Sequence, residues 1–368
     1  MNNIHTKSER NEYAKRISKK SGTVHEPPIK NFMIIKDKEY HKNEISNASM
    51  IKYKEFDQSM IVLEKEVGKG NFGKVFKGKV VGGKADESGR IIAVKVIKGL
   101  VGKTEIDDFR VEIKIMSLVK PNLNLVSMIG SWTSDLEENG QCWLLLEFCT
   151  YGDLKNYLIS MEEQILSGNE NDSINSRCLL LWSFHVANGM RYLAENKIMH
   201  GDLAARNILM SDNPLNDGTV IAKVADFGLA KRFYDNITYQ KESRLKVPWK
   251  WMALEYLTRD IFTLNSDVWS FGVLFWEILS LGRTPYGHQE YHEIVEKLKN
   301  GYRLKRPEES DKILSWNAKR VFEIIARSCF EADPLKRVPF SSIVGKLEGE
   351  LSRQEIEHFK RTLEAYTP

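Results

Sequence analysis

The chain opens on a polar stretch, residues 1 to about 56, rich in Lys, Asn and Ser and carrying a Pro-Pro pair at 27–28. That texture predicts a leader that is mostly disordered or draped over a domain. From Met60 the pattern changes. IVLEKEVGKGNFGKVFKGKVV reads as strand, glycine turn, strand. RIIAVKVIKG alternates, with Ile92, Val94 and Val96 on one face and Ile91, Ala93 and Lys95 on the other. TEIDDFRVEIKIMSLV then carries a helical period through Ile106, Phe109, Ile113 and Met116. SMIGSW and CWLLLEF are two further strands. Residues 57–148 therefore predict a mostly antiparallel sheet with one helix.

After GDLKNYL the apolar positions fall at helical spacing. SGNENDSINS, residues 167–176, is a polar loop, and Cys178 to Asn196 is a long buried helix. ILM and AKV are short strands on either side of DNPLNDGT. SDVWSFGVLFWEILSL is a strongly apolar helix, and further helices run through Leu351 with GRTP and ADPLKR as loops. The pattern divides the chain into a leader (1–56), a sheet-rich lobe (57–148), a helical lobe (149–351) with a short polar insert near 160–177, and a tail (352–368). The class is α+β, and no internal repeat is visible.

Composition narrows the partners. A formal net charge of +4 with 28% charged residues is a weak basic bias and no nucleic-acid signature. Cys142, Cys149, Cys178 and Cys329 lack metal-ligand spacing, which fits a reduced, cytoplasmic setting better than a disulfide framework. No apolar run approaches the roughly 20 residues needed to cross a bilayer. The first residues lack the apolar core of a signal peptide.

Four stretches carry chemistry. GKGNFGKV places Gly68, Gly70 and Gly73 in a turn that continues as a strand through Val75 and Phe76. A dinucleotide-binding fold would continue as a helix, so this reads as a hairpin whose backbone N–H groups cover phosphates, or as a hairpin with no ligand. Lys95 sits in an apolar strand and needs a carboxylate, for which Glu112 in the next helix is the candidate. The alternative is an edge-strand lysine reaching to solvent. HGDLAARN holds Asp202 and Asn207 in a loop after the long helix. A phosphoryl transfer needs a carboxylate to orient and accept the proton of a hydroxyl, and oxygen donors for magnesium. Asp202 suits the first task and Asn207 the second, although such residues also populate plain surface turns. In ADFGLA, Asp226 follows a strand, precedes a glycine, and supplies a second oxygen donor for the metal.

In this order the glycine loop, Val94-Lys95, Glu112, HxDxxxxN, DFG and Glu255 resemble the eukaryotic protein kinases over residues 60–350. LAARN is similar to the tyrosine-kinase catalytic loop, with Ala204 where serine/threonine kinases carry lysine and Arg206 near the substrate. PWKWMALE resembles a platform for a phenolic acceptor. LLLEFCTYGDLKNYL and SDVWSFGVLFWEILSLGRTPY resemble receptors of the platelet-derived and vascular endothelial growth factor group. The resemblance implies a bilobal fold, with a five-stranded antiparallel sheet and one helix in the N-lobe and a mainly helical C-lobe. It implies ATP with magnesium or manganese, Asp202 as base, and Lys95, Glu112, Arg206 and Asn207 around it. It implies Asn207 and Asp226 as metal donors.

The same resemblance places Leu146 as gatekeeper, Glu147 and Cys149 at the hinge, and Val75, Ala93 and Leu209 around the adenine ring. Met116, Met128, His200 and Phe227 would form a stacked spine. Tyr234 and Tyr239 match activation-loop tyrosines, which implies self-association for autophosphorylation in trans and phosphotyrosine-binding adaptors as partners. The substrates implied are tyrosine-containing proteins. The location implied is the cytoplasm, as the cytoplasmic part of a single-pass receptor or as a free kinase. Three positions depart from the pattern: Gly201 replaces arginine, and Leu254 and Val338 replace prolines. Without the arginine, altered regulation is expected, and the alternative reading is a weak kinase or a non-catalytic scaffold.

Overall fold

The computed structural model describes residues 53–69, 73–82, 87–97, 103–166, 175–232, 237–240, 248–307 and 318–366, with the backbone of 33–36. The expected leader lies outside the described residues except at 33–36 and 53–56, as does most of the polar loop 167–176. Within the leader, β1 (Met33–Lys36) is a strand. The smaller lobe follows the hydrophobic alternation closely. It contains β2 (Ile61–Lys69), β3 (Gly73–Val80) and β4 (Ile91–Ile97), then helix α1 (Lys103–Leu118). Strand β5 (Met128–Trp132), a short helix α2 (Leu136–Asn139) and β6 (Trp143–Glu147) complete it. The five strands form one antiparallel sheet in the order β2-β3-β4-β6-β5. Ile92 and Val94 are fully buried with Phe56, Ile61, Val80, Trp132, Trp143 and Leu145 on one face. The other face carries Ala93 and Lys95 toward the cleft side. Of the helical period, Phe109, Ile113 and Met116 are buried and Ile106 is partly buried.

Residues 53–56 close the outer edge of this sheet. Ser131 N donates to Lys54 O at 2.9 Å and Phe56 N donates to Ser131 O at 2.8 Å. A Cβ on Gly130 would lie 2.4 Å from Lys54 O and 2.6 Å from the Phe56 ring, so only glycine admits the segment. The pairing covers backbone groups that an open sheet edge leaves exposed.

The larger lobe is helical. Helices α3 (Leu154–Ser160), α4 (Glu162–Leu166) and α5 (Ser176–Glu195) lead into β7 (Ile198–Met199), β8 (Ile208–Asp212) and β9 (Val220–Val224). Short strands β10 (Lys231–Arg232), β11 (Ile237–Gln240) and β12 (Ile261–Phe262) bracket helix α6 (Leu254–Arg259). Strand β11 pairs in parallel with β1 and antiparallel with β12, which sets Tyr239 opposite Ile35 and Phe262 in the backbone register. Then come α7 (Leu264–Leu279), α8 (Tyr291–Lys299), α9 (Ala318–Cys329), α10 (Phe340–Glu348) and α11 (Arg353–Ala365). Helix α7 is apolar on nearly every side because it is the axis of the lobe, and Val268 through Leu279 sit in the main core with α5. No helix among the described residues is long and apolar enough to cross a membrane.

Residues 353–365, read from sequence as a tail, form a capped helix. Ser352 and Glu355 make a reciprocal capping box at its start. Its polarity hides the stripe of Ile356 and Phe359 that packs on the core.

One ion pair ties the first turn of α6 to the segment just before α10. Glu255 and Arg337, both fully buried, pair bidentately at 2.8 and 2.7 Å. Ser266 Oγ donates to Glu255 at 2.7 Å, and Arg337 also donates to the carbonyls of Glu331 and Asn265 at 2.9 Å. Breaking a buried pair leaves one charge uncompensated, which costs about 3–5 kcal/mol. Arg337→Met is therefore expected to lower stability by about that much in urea unfolding, far more than Arg320→Met at an exposed site. Equal losses in the two variants would show that the buried pair is not a keystone.

Candidate active site

The strand carrying Lys95 pairs with β3 and β6, so its ammonium is delivered at a fixed height beneath the glycine hairpin. Lys95 Nζ lies 2.6 Å from Glu112 Oε1 on α1 and 3.1 Å from Asp226 Oδ1 just beyond β9. Burial works against the ammonium, but the carboxylates of Asp226 and Glu112 together outweigh it and hold its pKa above the ordinary lysine value. Burial raises the Glu112 pKa, and the 2.6 Å ammonium contact opposes that rise. Lys95 in turn pulls Asp226 below the usual carboxylate range. The Asp226 backbone turns through a left-handed φ of +61°. Its side chain remains 45% exposed toward the open cleft.

The loop HGDLAARN folds around Asp202. Asn207 Nδ2 donates to Asp202 Oδ2 at 2.8 Å and to Asp202 O at 2.7 Å, and Arg206 pairs with Oδ1. Burial pushes the Asp202 carboxyl up to about 6, with Arg206 opposing the rise. Arg206 itself is laid over the Trp251 ring, 4.5 Å from its centroid. Both donated bonds use the Asn207 nitrogen, which leaves its amide oxygen for another partner. Among the described residues no group of three or more His, Cys, Asp or Glu side chains is arranged to hold a metal alone. Asn207 and Asp226 together supply a hard amide and a hard carboxylate oxygen. That set suits magnesium sharing its sphere with phosphates and water, not a closed protein cage.

The cleft walls are placed as follows. Gly68 and Gly73 stand on the hairpin strands, with Gly68 opposite Val75, while Gly70 lies outside the described residues. Ala93 is opposite Leu146 across β4 and β6. Leu146 and Leu209 pack on a small cluster of Val126, Cys149 and Ala225. Burial raises the Cys149 thiol to about 12, which makes it inert. Glu147 faces the rear of the hinge and pairs with Lys223 at 3.0 Å. Met116, His200 and Phe227 are buried, Met128 packs against the same core, and the His200 and Phe227 rings are 5.6 Å apart. Tyr234 lies outside the described residues, and of Tyr239 only the backbone is described.

Comparison with known proteins gives the family. Residues 61–347 match the family model "Protein tyrosine and serine/threonine kinase". The chain belongs to that family. It is 32% identical to a fibroblast growth factor receptor of Halocynthia roretzi over 82% of the chain and 40% of that receptor. It is 30% identical to vascular endothelial growth factor receptor 1 of Homo sapiens, over 82% of the chain and 26% of the receptor. Against the tyrosine kinase receptor Cad96Ca of Drosophila melanogaster the identity is 34%, over 80% of the chain and 36% of the relative. The kinase chain thus spans two-fifths or less of the length of these relatives. It is a protein tyrosine kinase catalytic domain related to growth factor receptors of the platelet-derived, vascular endothelial and fibroblast types.

Several residues of this kinase that position the loop were not singled out from sequence. Asp267, buried at the start of α7, accepts from His200 N at 2.7 Å and Gly201 N at 3.0 Å. Glu277, ten residues further along the same helix, accepts from Ala205 N at 2.9 Å and Trp251 Nε1 at 2.7 Å. Lys223 is 2% exposed and holds Glu147. Each signal was present: two acids inside an apolar helix and a lysine inside an apolar strand demand partners, as Lys95 does.

Gly201 occupies a left-handed backbone position, φ +79°, and a Cβ there would meet Leu229 O at 2.9 Å. Glycine therefore relieves the bend that Asp267 imposes on the loop. Gly201→Ala is expected to cost about 1–2 kcal/mol through φ strain alone. A lower melting temperature with unchanged Gly218→Ala behaviour would not suffice, since Gly218 also has positive φ; the comparison is with Gly345→Ala, where φ is helical and space is open. Equal stability of Gly201→Ala and wild type would refute the strain.

The pH profile gives a second check. If Asp202 is the proton acceptor it must be ionised, and because its pKa is raised, phosphotransfer through it would be lost as pH falls through about 6. The acid limb of kcat/KM should centre there, and Arg206→Met should move it upward because the opposing cation is gone. A limb near 4 in wild type would overturn the assignment.

Proposed function

We propose that this kinase transfers the γ-phosphoryl group of ATP to tyrosine hydroxyls of proteins. The observation that carries the reading is Lys95, whose ammonium touches Glu112 and Asp226 at once and so joins the two lobes at the phosphate-binding end of the cleft. Lys95 orients the α and β phosphates and Glu112 fixes Lys95. Backbone N–H groups around Gly68, Gly70 and Gly73 cover the phosphates. Val75, Ala93, Leu146 and Leu209 enclose the adenine ring, which bonds the backbone of Glu147 and Cys149. Asn207 and Asp226 would hold magnesium or manganese, which would offset charge on the phosphate oxygens.

Asp202 orients the phenolic hydroxyl and takes its proton as the oxygen attacks phosphorus and ADP leaves. Arg206 and Asn207 hold both carboxylate oxygens in place for that task. Ala204 in place of lysine, with Arg206 stacked on Trp251, supports a phenolic acceptor at this platform. Gly201 gives no separate support to a non-catalytic scaffold, because its backbone conformation supplies a structural reason for glycine. The relatives support a place as the cytoplasmic portion of a receptor, activated by self-association and phosphorylation in trans at Tyr234 and Tyr239, and read by phosphotyrosine-binding adaptors.

The test is labelled-ATP transfer to a tyrosine-containing polymer, with calorimetric titration of Mg-ATP. Asp202→Asn is expected to cut kcat by about 10³-fold or more while ATP affinity changes by less than about threefold, since the group acts mainly in the transition state. Undiminished turnover, or no transfer by wild type, would sink the reading.

A further inference from the structure

Helix α11 does not end on the larger lobe. It runs along α5 and the β8–β9 turn and finishes behind the hinge. At its start, Glu355 pairs with Arg177, whose guanidinium also donates to Glu350 O at 3.2 Å. Midway, the Phe359 ring meets Phe184 edge-on at 5.0 Å and stacks on His185 at 5.3 Å. His358 contacts Asp217 at 2.6 Å, and Asn213 donates to the buried Thr362 hydroxyl at 3.1 Å. At the end stands Tyr366. Its hydroxyl is 2.9 Å from Ser127 Oγ, and its ring lies beneath Lys223 Nζ at 4.7 Å.

The residues Tyr366 touches are those that hold the hinge. Glu147 N donates to Ser127 O at 3.0 Å, and Ser127 N returns the bond to Glu147 Oε1 at 2.6 Å. Lys223 pairs with the same carboxylate at 3.0 Å. Tyr366 thus covers a network of one acid, one lysine and one serine, and the cation seen there among the described residues is Lys223, already paired with Glu147.

We propose that Tyr366 is a tyrosine-phosphorylation site, and that its modification releases the C-terminal half of α11 from the hinge. The proposal rests on the phosphotransfer reading for the source of the phosphate, not for its effect. In the step, the Tyr366 oxygen bonds the γ-phosphorus of ATP, the bond from that phosphorus to the bridging oxygen breaks, ADP leaves, and the phenolic proton passes to the carboxylate base of the kinase. A phosphate adds close to two negative charges and three acceptor oxygens. On Tyr366 it replaces a hydroxyl already at hydrogen-bond distance from Ser127, beside the Glu147 carboxylate. Lys223 is already committed to that carboxylate. Tyr366 is also the C-cap of α11, whose last turn has no basic residue, so the new charge opposes the helix dipole. Glu355 and Arg177 lie at the far end and keep the first turn anchored.

Two measurements decide it. The first uses the full chain with phosphotyrosine placed at 366 by ligation of a synthetic C-terminal peptide, against the same ligated chain without phosphate. Amide exchange over 359–365 is expected to be about tenfold faster or more in the phosphorylated chain. Equal or slower exchange overturns the release. The second incubates wild type with Mg-ATP and a tyrosine polymer, and maps phosphate by mass spectrometry. Tyr366 is expected to be modified, with faster exchange in 359–365 that the Tyr366→Phe chain does not develop. A polymer that is phosphorylated while Tyr366 stays bare overturns Tyr366 as an acceptor. Failure to modify even the polymer ends the phosphotransfer reading instead, and the ligated chain still decides the release.

Discussion

Lys95 stands on a strand whose opposite face is among the driest parts of the smaller lobe, with Ile92 and Val94 fully buried. Its ammonium cannot be left without anions there. The strand is fixed by neighbours on both sides, so the anions must come to the lysine. Glu112 comes on α1 and Asp226 comes from the larger lobe. One cation therefore sets the position of the helix against the sheet and of one lobe against the other. At 4 Å and an effective dielectric of 20, one charge pair is worth about 4 kcal/mol before desolvation is counted. Losing either acid leaves the remaining pair to bear the burial cost of the ammonium.

The HGDLAARN loop is held by the same physics with the signs reversed. Asp267 and Glu277 are buried acids that, among the described residues, form no ion pair with a lysine or arginine. Their partners are N–H groups: those of His200 and Gly201 on Asp267, and those of Ala205 and Trp251 on Glu277. Burial raises both acids above the ordinary carboxylate range, Glu277 to about 7. Donated hydrogen bonds from the loop offset part of that cost, so the loop and the helix stabilise one another. The tight bend this demands at residue 201 is where a glycine is found.

Periodicity made the sheet, the buried helices and the cleft residues legible. Lys95, Glu112, Asp202, Asn207 and Asp226 are each a polar residue in an apolar run or a turn, and the structure brings them into one cleft. Lys223 carried the same signal as Lys95, but its strand VIAKV is short and its carboxylate lies 76 residues earlier, at the hinge. Sequence distance hid that pairing. Helix α11 was hidden for another reason. Its sequence RQEIEHFKRTLEA is mostly charged, and its few apolar positions acquire meaning only against Phe184 and His185. The four-residue helix α2 is too short for a period to register.

The three departures from the kinase pattern share a property. None alters an atom that contacts the proposed reaction, and each bears on backbone conformation, although Gly201 also gives up a cationic side chain. Leu254 is the first residue of α6, where proline is favoured only because its missing N–H would have no helical partner. Here the turn closes without it, through bonds from Tyr256 N and Leu257 N to Ala253 O at 3.0 Å. Val338 precedes Pro339, which restricts it to extended geometry by steric contact. Pro339 then caps α10 with φ −68° and ψ 159°. The stiffness that a proline at 338 would add is already supplied one residue later. At Gly201 the exchange runs the other way: a left-handed position is filled by the residue that holds it without strain, at the cost of a cationic side chain. Backbone geometry can be reached by several sequences, whereas an ammonium between two carboxylates can be reached by few. That difference explains why this chain varies at 201, 254 and 338 and keeps Lys95, Asp202 and Asp226.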